Sequence, residues 1–203
     1  MKRLLLTALI VVAAITARDA NSCTTFQIPE SAERIVANNL NWHTAFGRAF
    51  VNPRNLLKTA GLGLNAPAGE KALSWVSVFG SVTFNQMSRE FPYGGMNERG
   101  LVAEVMVSRH GVDPTVGLPA VNELQWLQYI LDTSSDVDSA IAQARLVKIV
   151  TVSGQLHYLV CDSSPRCAVF EFRNGVLEVF VGSDLPFPAL ANNYYPHSLG
   201  YLS

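Results

Sequence analysis

Residues 20–26, Ala-Asn-Ser-Cys-Thr-Thr-Phe, lie where an N-terminal leader gives way to a strand-like sequence. Cys23 is therefore either an ordinary thiol near the start of a domain or the first residue of a mature chain. The β-branched and aromatic residues of Thr24–Ile28 predict a strand, and Arg34–Leu40 is its expected hairpin partner. The fold is thus expected to begin with a hairpin that starts directly after Cys23.

The first 22 residues have the parts of a cleavable signal peptide. Two basic residues are followed by the uncharged, mainly apolar run Leu4–Ala17, and Ala20 and Ser22 supply the small side chains that signal peptidase prefers. Because the apolar run is short for a bilayer, a transmembrane anchor is the weaker interpretation. Cleavage after Ser22 leaves residues 23–203 as one domain, which we expect to be exported to the periplasm or the exterior.

Composition supports a single globular domain and argues against nucleic acid as a partner. The chain has 203 residues, of which 49% are hydrophobic and 15% charged, enough for one sizeable core. Fifteen Lys and Arg face sixteen Asp and Glu, for a net charge of −1. No basic run suited to phosphate groups interrupts this balance. We also expect no membrane association once the leader has been removed.

The three cysteines leave alternatives for Cys23. Cys161 and Cys167 flank a short turn closely enough to bridge across a hairpin, although apolar cysteines are often simply buried. If they pair, Cys23 is the odd thiol. A lipid-anchored cysteine is a further alternative, but the charged pair Arg18-Asp19 suits a lipoprotein signal poorly.

An N-terminal cysteine can combine nucleophile and base in one residue. Its α-amine, with an ordinary pKa of about 7.7–8.0, is partly neutral at physiological pH and can take the thiol proton during attack. Threonine with an N-terminal amine works in the same way. Attack on a carbonyl gives a thioester that water releases, so the expected reaction class is acyl transfer, most naturally hydrolysis of an amide.

The rest of the chain predicts an α+β domain in which helices cover antiparallel sheets. One helix is expected over Glu123–Leu131, and a second from Ser135 with Asp138 in an imperfect capping box and Val137, Ile141 and Ala144 buried. Asn174-Gly175 is a strong hairpin signal. The expected later strands are Leu73–Asn85, Leu101–Val107, Leu156–Cys161, Ala168–Phe172 and Val176–Val181.

Four segments carry a resemblance to a known family: Cys23–Phe26, Asn39–Trp42, Phe91–Leu101 and Leu190–Tyr194, with further similarity in Ser74–Asn85 and Glu123–Asp132. In this order, they resemble the linear amide C–N hydrolases among the N-terminal-nucleophile hydrolases, the family of choloylglycine hydrolases and penicillin V acylases. It implies a four-layer αββα sandwich, no metal and no organic cofactor. The implied substrate is a small-molecule amide such as a conjugated bile salt, penicillin V or an N-acyl homoserine lactone. Relatives are often oligomeric, so the resemblance leaves open whether this chain forms a homo-oligomer.

The resemblance also implies roles for particular residues. Cys23 matches the nucleophile, and Asn192 matches an asparagine whose side-chain amide holds the developing oxyanion; alternatively, Asn192 is an ordinary turn residue. A backbone N–H at Val107 matches the second oxyanion donor. Glu104 invites a role in substrate recognition, although a solvated edge position explains it more simply. The turn Gly94–Gly100 is interpreted as structural, with glycines at positive φ.

Two departures from the family pattern suggest an altered activity. Asn38 and Asn41 stand where the family usually has Arg-x-x-Asp near the nucleophile. Asn41 can still accept a hydrogen bond from the α-amine but adds no charge, so Cys23 is expected to be less activated. Relatives also continue well beyond the Asn192 loop, whereas this sequence stops at Ser203, so we expect it to lack the C-terminal part of the fold, either as a fragment or because the protein has lost part of its sheet. The alternative function is therefore a weakly active or inactive relative that binds acyl ligands or partners.

Overall fold

The computed structural model of the chain describes residues 23–28, 33–42, 46–64, 66–86, 88–108, 117–173 and 175–201, and the predicted leader lies outside them. The helices are α1 (Glu123–Thr133), α2 (Val137–Ala144) and α3 (Tyr195–Gly200). The strands are β1 (Thr24–Ile28), β2 (Ile35–Asn39), β3 (Arg48–Asn52), β4 (Leu57–Thr59), β5 (Ser74–Val76), β6 (Ser81–Asn85), β7 (Pro92–Asn97), β8 (Val102–Val107), β9 (Ala120–Asn122), β10 (Lys148–Val150), β11 (Leu156–Cys161), β12 (Cys167–Arg173), β13 (Val176–Val181) and β14 (Ala189–Ala191).

Two antiparallel sheets form most of the described structure. The larger has seven strands in the order β13-β12-β11-β8-β7-β6-β3, and the smaller has three in the order β14-β1-β2. The predicted first hairpin is confirmed, with Thr24 opposite Asn39 and Ile28 opposite Ile35. The predicted meander is also confirmed as β11, β12 and β13. Two short pairs, β4 with β5 and β9 with β10, complete the pairing of the described strands.

The central strands of the large sheet are buried on both faces. In β12, Phe170 and Phe172 pack in the core around Trp126 of α1, whereas Cys167 and Val169 pack in a second core beneath the small sheet. Successive side chains of a strand point to opposite faces, so one strand supplies both cores. The result is a helical layer, a large sheet and a small sheet stacked in that order.

These layers confirm the predicted α+β class with paired antiparallel sheets. The outer face of the small sheet carries Phe26, Ile28 and Ile35, which are 38–41% exposed. Their partners in register share this face, so β1 and β2 present an apolar surface on the side opposite the large sheet. In the predicted αββα sandwich, the fourth layer lies on this side.

The glycine-rich segment differs from its predicted form. Gly94 and Gly95 lie inside β7, and of the glycines in Gly94–Gly100 it is Gly100 that has a positive φ, of 79°. Gly95 is required for space: a Cβ there would lie 2.5 Å from the carbonyl oxygen of Val82 in the adjacent strand. The prediction of positive φ throughout was therefore wrong, because close approach of strands selects glycine as readily as a turn does.

Four further predictions were tested by the fold. The disulfide Cys161–Cys167 is present, and it joins two residues that lie opposite each other where β11 turns into β12. The first helix is confirmed and extends to Thr133.

The second helix begins at Val137 and is capped by Asp136 in a capping box with Ser139. The predicted box with Asp138 was wrong, because that carboxylate points outward to Arg166, 2.6 Å away. Val137 and Ala144 are buried as predicted, whereas Ile141 is only partly buried. The strand content predicted for Leu73–Asn85 is confirmed as two strands, β5 and β6, which lie in different sheets.

Asp132, at the end of α1, joins the helical layer to the β4–β5 pair. Its fully buried carboxylate accepts hydrogen bonds from Trp75 Nε1 at 2.7 Å and Gln128 Nε2 at 2.8 Å, and it pairs with Lys58 Nζ at 2.8 Å. Its carbonyl oxygen accepts the N–H groups of Val78 and Phe79. One residue thus satisfies polar groups from two other segments.

Removal of the Asp132 carboxylate should destabilise the fold strongly. Asp132→Ala is expected to lower the free energy of unfolding by about 3–5 kcal/mol, because it leaves the mostly buried Lys58 ammonium without its counter-charge. The matched control is Asp138→Ala, which removes an exposed ion pair with Arg166 and should have little effect. Urea denaturation measures both variants, and similar losses for the two would contradict this role for Asp132.

Candidate functional site

Cys23 lies immediately before the central strand of the small sheet and is 2% exposed. Thr24 pairs with Asn39 of β2 on one side and with Ala191 of β14 on the other. The next row of the sheet therefore places Cys23 between Leu40 and Asn192. Pairing on both sides fixes the position of the thiol, and the disulfide between the other two cysteines leaves it as the odd thiol, as predicted.

Asn41 contacts Cys23 through its backbone. Cys23 Sγ lies 3.8 Å from the carbonyl oxygen of Asn41, while Asn41 as a residue is exposed. The structure thus brings together two of the three predicted site residues. The described contact uses the carbonyl, a feature that does not depend on whether residue 41 is asparagine or aspartate.

A cavity of about 210 Å³ opens beside the thiol. Its wall is mostly apolar and includes the aromatic rings of Trp42 and Tyr93. Such a volume and lining suit an apolar group of modest size better than a whole drug-sized ligand. The lining residues are Cys23, Leu40, Trp42, Tyr93, Val105, Val107, Leu124, Ser153, Gly154, Gln155 and Leu156.

Glu123 shapes one wall of this cavity from the first turn of α1. Its buried carboxylate accepts hydrogen bonds from the N–H groups of Val152, Ser153 and Gly154, at 2.5–3.1 Å, and from Ser153 Oγ at 2.7 Å. Sequence reasoning missed this role, because an acidic residue at a helix start is ordinarily explained by the helix dipole. Burial, and then the charge of Glu123, raise the pKa of Tyr93, so its phenol stays protonated at the cavity wall.

Val107 presents its backbone N–H beside the cavity. The N–H of Ser108 donates to Gln155 on the β11 side, at 2.8 Å. Successive N–H groups of a strand point to opposite sides, so the N–H of Val107 is directed toward the β7 side. Pairing between β7 and β8 ends at Gly94–Glu104, three residues before Val107. The backbone donor therefore points past the end of that pairing.

Asn192 follows β14 directly and is half-buried. Because Ala191 pairs with Thr24, the backbone of Asn192 lies in the row of the sheet that contains Cys23. The chain then turns into α3. The three predicted site residues, Cys23, Asn41 and Asn192, are thus neighbours at one end of the small sheet.

Glu104 is buried, so the predicted solvated edge position was wrong. It lies in β8 between Gly94 of β7 and Leu159 of β11 and is 9% exposed. Oε2 accepts a hydrogen bond from Asn38 Nδ2, which crosses from the small sheet. A Cβ at residue 94 would lie 2.1 Å from this oxygen, so glycine there makes room for the carboxyl group. Burial raises the pKa of Glu104 to about 7, although the hydrogen bond from Asn38 opposes the shift.

Among the described residues, no group of His, Cys, Asp and Glu side chains is arranged to hold a metal ion. The described helices are also too short or too polar to cross a membrane. Fold and site together define a layered α+β protein in which the thiol outside the disulfide opens into an apolar cavity.

The family model of linear amide C–N hydrolases, choloylglycine hydrolase family, matches residues 23–193. The chain belongs to this family. Penicillin V acylase of Pectobacterium atrosepticum is 27% identical over 159 aligned residues, covering 70% of this chain and 41% of that protein.

Solved structures show the same fold. Penicillin V acylase from Agrobacterium tumefaciens aligns with a TM-score of 0.70 at 23% identity, covering 88% of this chain and 55% of the other. A variant of conjugated bile acid hydrolase from Clostridium perfringens aligns with a TM-score of 0.69 at 17% identity, covering 89% and 56%. These similarities confirm the resemblance seen in the sequence. The chain spans about half the length of these relatives.

The raised pKa of Glu104 gives the stability of the protein a definite pH dependence. The folded carboxyl keeps its proton at pH values where the unfolded carboxyl, with an ordinary pKa of 4.5, has lost it. The free energy of unfolding should therefore fall as pH rises from about 4.5 to 7, by up to about 3 kcal/mol.

Urea denaturation at pH 5 and pH 8 tests this prediction. Glu104→Gln removes the titrating group and should reduce the fall in the free energy of unfolding between pH 5 and pH 8. Relative to the wild type, the variant should therefore be more stable at pH 8 than at pH 5. The exposed control Glu90→Gln should keep the wild-type pH dependence. An unchanged decline in Glu104→Gln would show that this carboxyl does not titrate in that range.

Proposed function

We propose that the chain acts as an exported hydrolase that cleaves linear, non-peptide amide bonds through Cys23. The observation that carries the proposal is the buried thiol in the wall of an apolar cavity, fixed at the end of a doubly paired strand. Family membership supports the reaction class. The leader at residues 1–22 supports export, and cleavage after Ser22 creates the amine that the chemistry needs.

The reaction follows from the groups around Cys23. The α-amine takes the proton of Sγ as the sulfur attacks the carbonyl carbon of the amide. The carbonyl oxygen becomes an oxyanion, which the N–H of Val107 and the side-chain amide of Asn192 stabilise; such a donor contributes on the order of 3–4 kcal/mol. Collapse breaks the C–N bond, returns the proton to the leaving amine and leaves a thioester. Water then attacks the thioester and releases the acid and the thiol.

The cavity supports an apolar acyl group as the part of the substrate that is bound next to Cys23. The rings of Trp42 and Tyr93 and the aliphatic wall offer contact area but few polar partners. Relatives are named for penicillin V and conjugated bile acids, both of which join an acyl group to an amine. We therefore propose small-molecule amides of these types, or an N-acyl homoserine lactone, as substrates.

Cys23→Ala should abolish hydrolysis of penicillin V and of a glycine-conjugated bile salt. The reason is that no other described cysteine is a thiol, since Cys161 and Cys167 are bonded to each other. The measurement is release of the acid and the amine by the exported full chain. The control variant, with both Cys161 and Cys167 changed to Ser, should keep activity wherever it folds.

Intact-mass and N-terminal analysis of the same exported protein gives an independent result. We expect a mature chain that begins at Cys23 and gains one adduct there from a thiol-reactive amide analogue. A chain that begins elsewhere and takes up no label would falsify the proposal. A diacylglycerol mass on Cys23 would instead indicate a lipid-anchored binding protein.

The second candidate function is an acyl-binding relative with weak activity. Asn38 and Asn41 favour it, because the Asn38 side chain is engaged by Glu104 and neither residue adds charge near the thiol. Asn41→Asp should then raise kcat about fivefold, since an added carboxylate can strengthen a hydrogen bond to the α-amine by about 1 kcal/mol.

Steady-state kinetics of Asn41→Asp test this explanation against a matched charge change. Asn39→Asp is the control, because Asn39 pairs with Thr24 on the outer face of the small sheet. The control should leave kcat unchanged. An unchanged or lower kcat in Asn41→Asp would exclude the missing charge as the cause of weak activity.

A further inference from the structure

We infer that the buried pair His157 and Glu171 is a positioning device for Asn192, holding the oxyanion asparagine in place from the large sheet. This inference rests on the proposed function for its catalytic consequence. The structural part of it stands on the contacts of the pair itself.

The pair lies between the two sheets. His157 of β11 is 0% exposed and Glu171 of β12 is 1% exposed, and His157 Nδ1 lies 3.1 Å from Glu171 Oε1. Tyr158 pairs with Phe170 in register, so His157 and Glu171 face each other in the next row. Leu159 and Val169, two residues along each strand, pack beneath the small sheet, which places the pair on that same face.

The Glu171 carboxylate reaches the segment that carries Asn192. Oε1 also accepts the backbone N–H of Tyr195, at 2.7 Å. Tyr195 begins α3, three residues after Asn192, while Ala191 on the other side pairs with Thr24 of β1. Asn192 therefore lies in a span of three residues between a strand anchor and a carboxylate anchor.

The Tyr195 side chain also links the loop to the segment that precedes β14. Its hydroxyl donates to the carbonyl oxygen of Phe187, at 3.0 Å, just before β14, and its ring is 2% exposed. One residue is thus fixed at its N–H by Glu171 and at its hydroxyl by the segment before β14. The loop through Asn192 has little freedom to move relative to Cys23.

The hydrogen bond from His157 offsets part of the free-energy cost of burying the Glu171 carboxylate. A carboxylate between two sheets is costly unless hydrogen-bond donors satisfy it. Within the described structure, His157 Nε2 is buried with no hydrogen-bond partner, so a proton there would be an unsatisfied donor. We therefore assign the ring proton to Nδ1, from which it is donated to Glu171. The histidine satisfies the same oxygen that holds Tyr195.

Glu178 of β13 provides a matched control. It lies directly opposite Glu171 in register, and its Oε2 accepts from the hydroxyl of Tyr194 at 2.7 Å. It therefore contacts the same loop, but through the Tyr194 side chain rather than through the backbone. Arg173 adds a second contact to the Tyr194 ring, 4.5 Å from its centroid.

Hydrogen exchange of the exported full chain tests the anchor without any substrate. Glu171→Ala should speed amide exchange in residues 192–195 at least tenfold and leave residues 23–28 unchanged. Glu171→Gln keeps an acceptor oxygen and should show the same pattern at reduced size, which also provides a reading if the alanine variant does not fold. Glu178→Gln should leave residues 192–195 at the wild-type rate. Unchanged exchange there in both Glu171 variants, or an equal rise throughout the chain, would overturn the inference.

A double-mutant cycle tests the catalytic consequence. Glu171→Ala should lower kcat by on the order of tenfold to a hundredfold, with KM little changed, and Glu171→Gln should restore most of the loss. Combined with Asn192→Ala, it should cost almost nothing further, because the group that it positions is gone. Additive losses would mean that Glu171 acts by another route and would overturn the positioning role.

Alkylation of Cys23 by iodoacetamide distinguishes an effect of Glu171 on Asn192 from an effect on the thiol itself. This reaction needs no oxyanion donor, so its rate should be the same in the wild type and in Glu171→Ala; an equal fall in alkylation and kcat would overturn the inference. If the wild type hydrolyses no amide, the proposed function fails by itself. Hydrogen exchange in residues 192–195 still decides whether Glu171 anchors the loop.

Discussion

The burial of the central strands of the large sheet on both faces is the constraint on which the rest of the structure depends. Because β8, β11 and β12 present apolar side chains alternately to each side, neither face can be left to water. Helix α1 covers one face with Trp126, and β1 and β14 cover the other. The position of Cys23 follows from this packing, because β1, the strand that it precedes, covers the second core.

Local patterns in the sequence were sufficient for most of the elements. The hairpin of β1 and β2, the helix from Glu123 and the meander closed by Cys161 and Cys167 each depend on contacts between residues close in the chain. The resemblance to the family then supplied what local patterns cannot, namely that Leu190–Tyr194 returns to the side of Cys23. That return is present as the pairing of β14 with β1.

The polar groups that shape the site could not be predicted, since each works across a long separation in sequence. Glu104 meets Asn38 across 66 residues, and Glu171 meets the backbone N–H of Tyr195 across 24. Glu123 holds a loop about 30 residues further along. In sequence, each of these residues resembles an ordinary surface or helix-start residue. Only the stacking of the two sheets and the helical layer makes them buried, and burial gives them their roles.

The substitution at Asn38 and the raised pKa of Glu104 are two aspects of one arrangement. The resemblance to the family implies an arginine at the position of Asn38, whose amide donates to Glu104. A guanidinium at this place would offer the buried carboxylate a counter-charge, which favours the ionised form. An amide offers a hydrogen bond without charge, so desolvation prevails and the pKa rises to about 7. The same exchange removes a positive charge that would favour a thiolate at Cys23. The space made by Gly94 then keeps beside the site a carboxyl group whose charge changes near neutral pH.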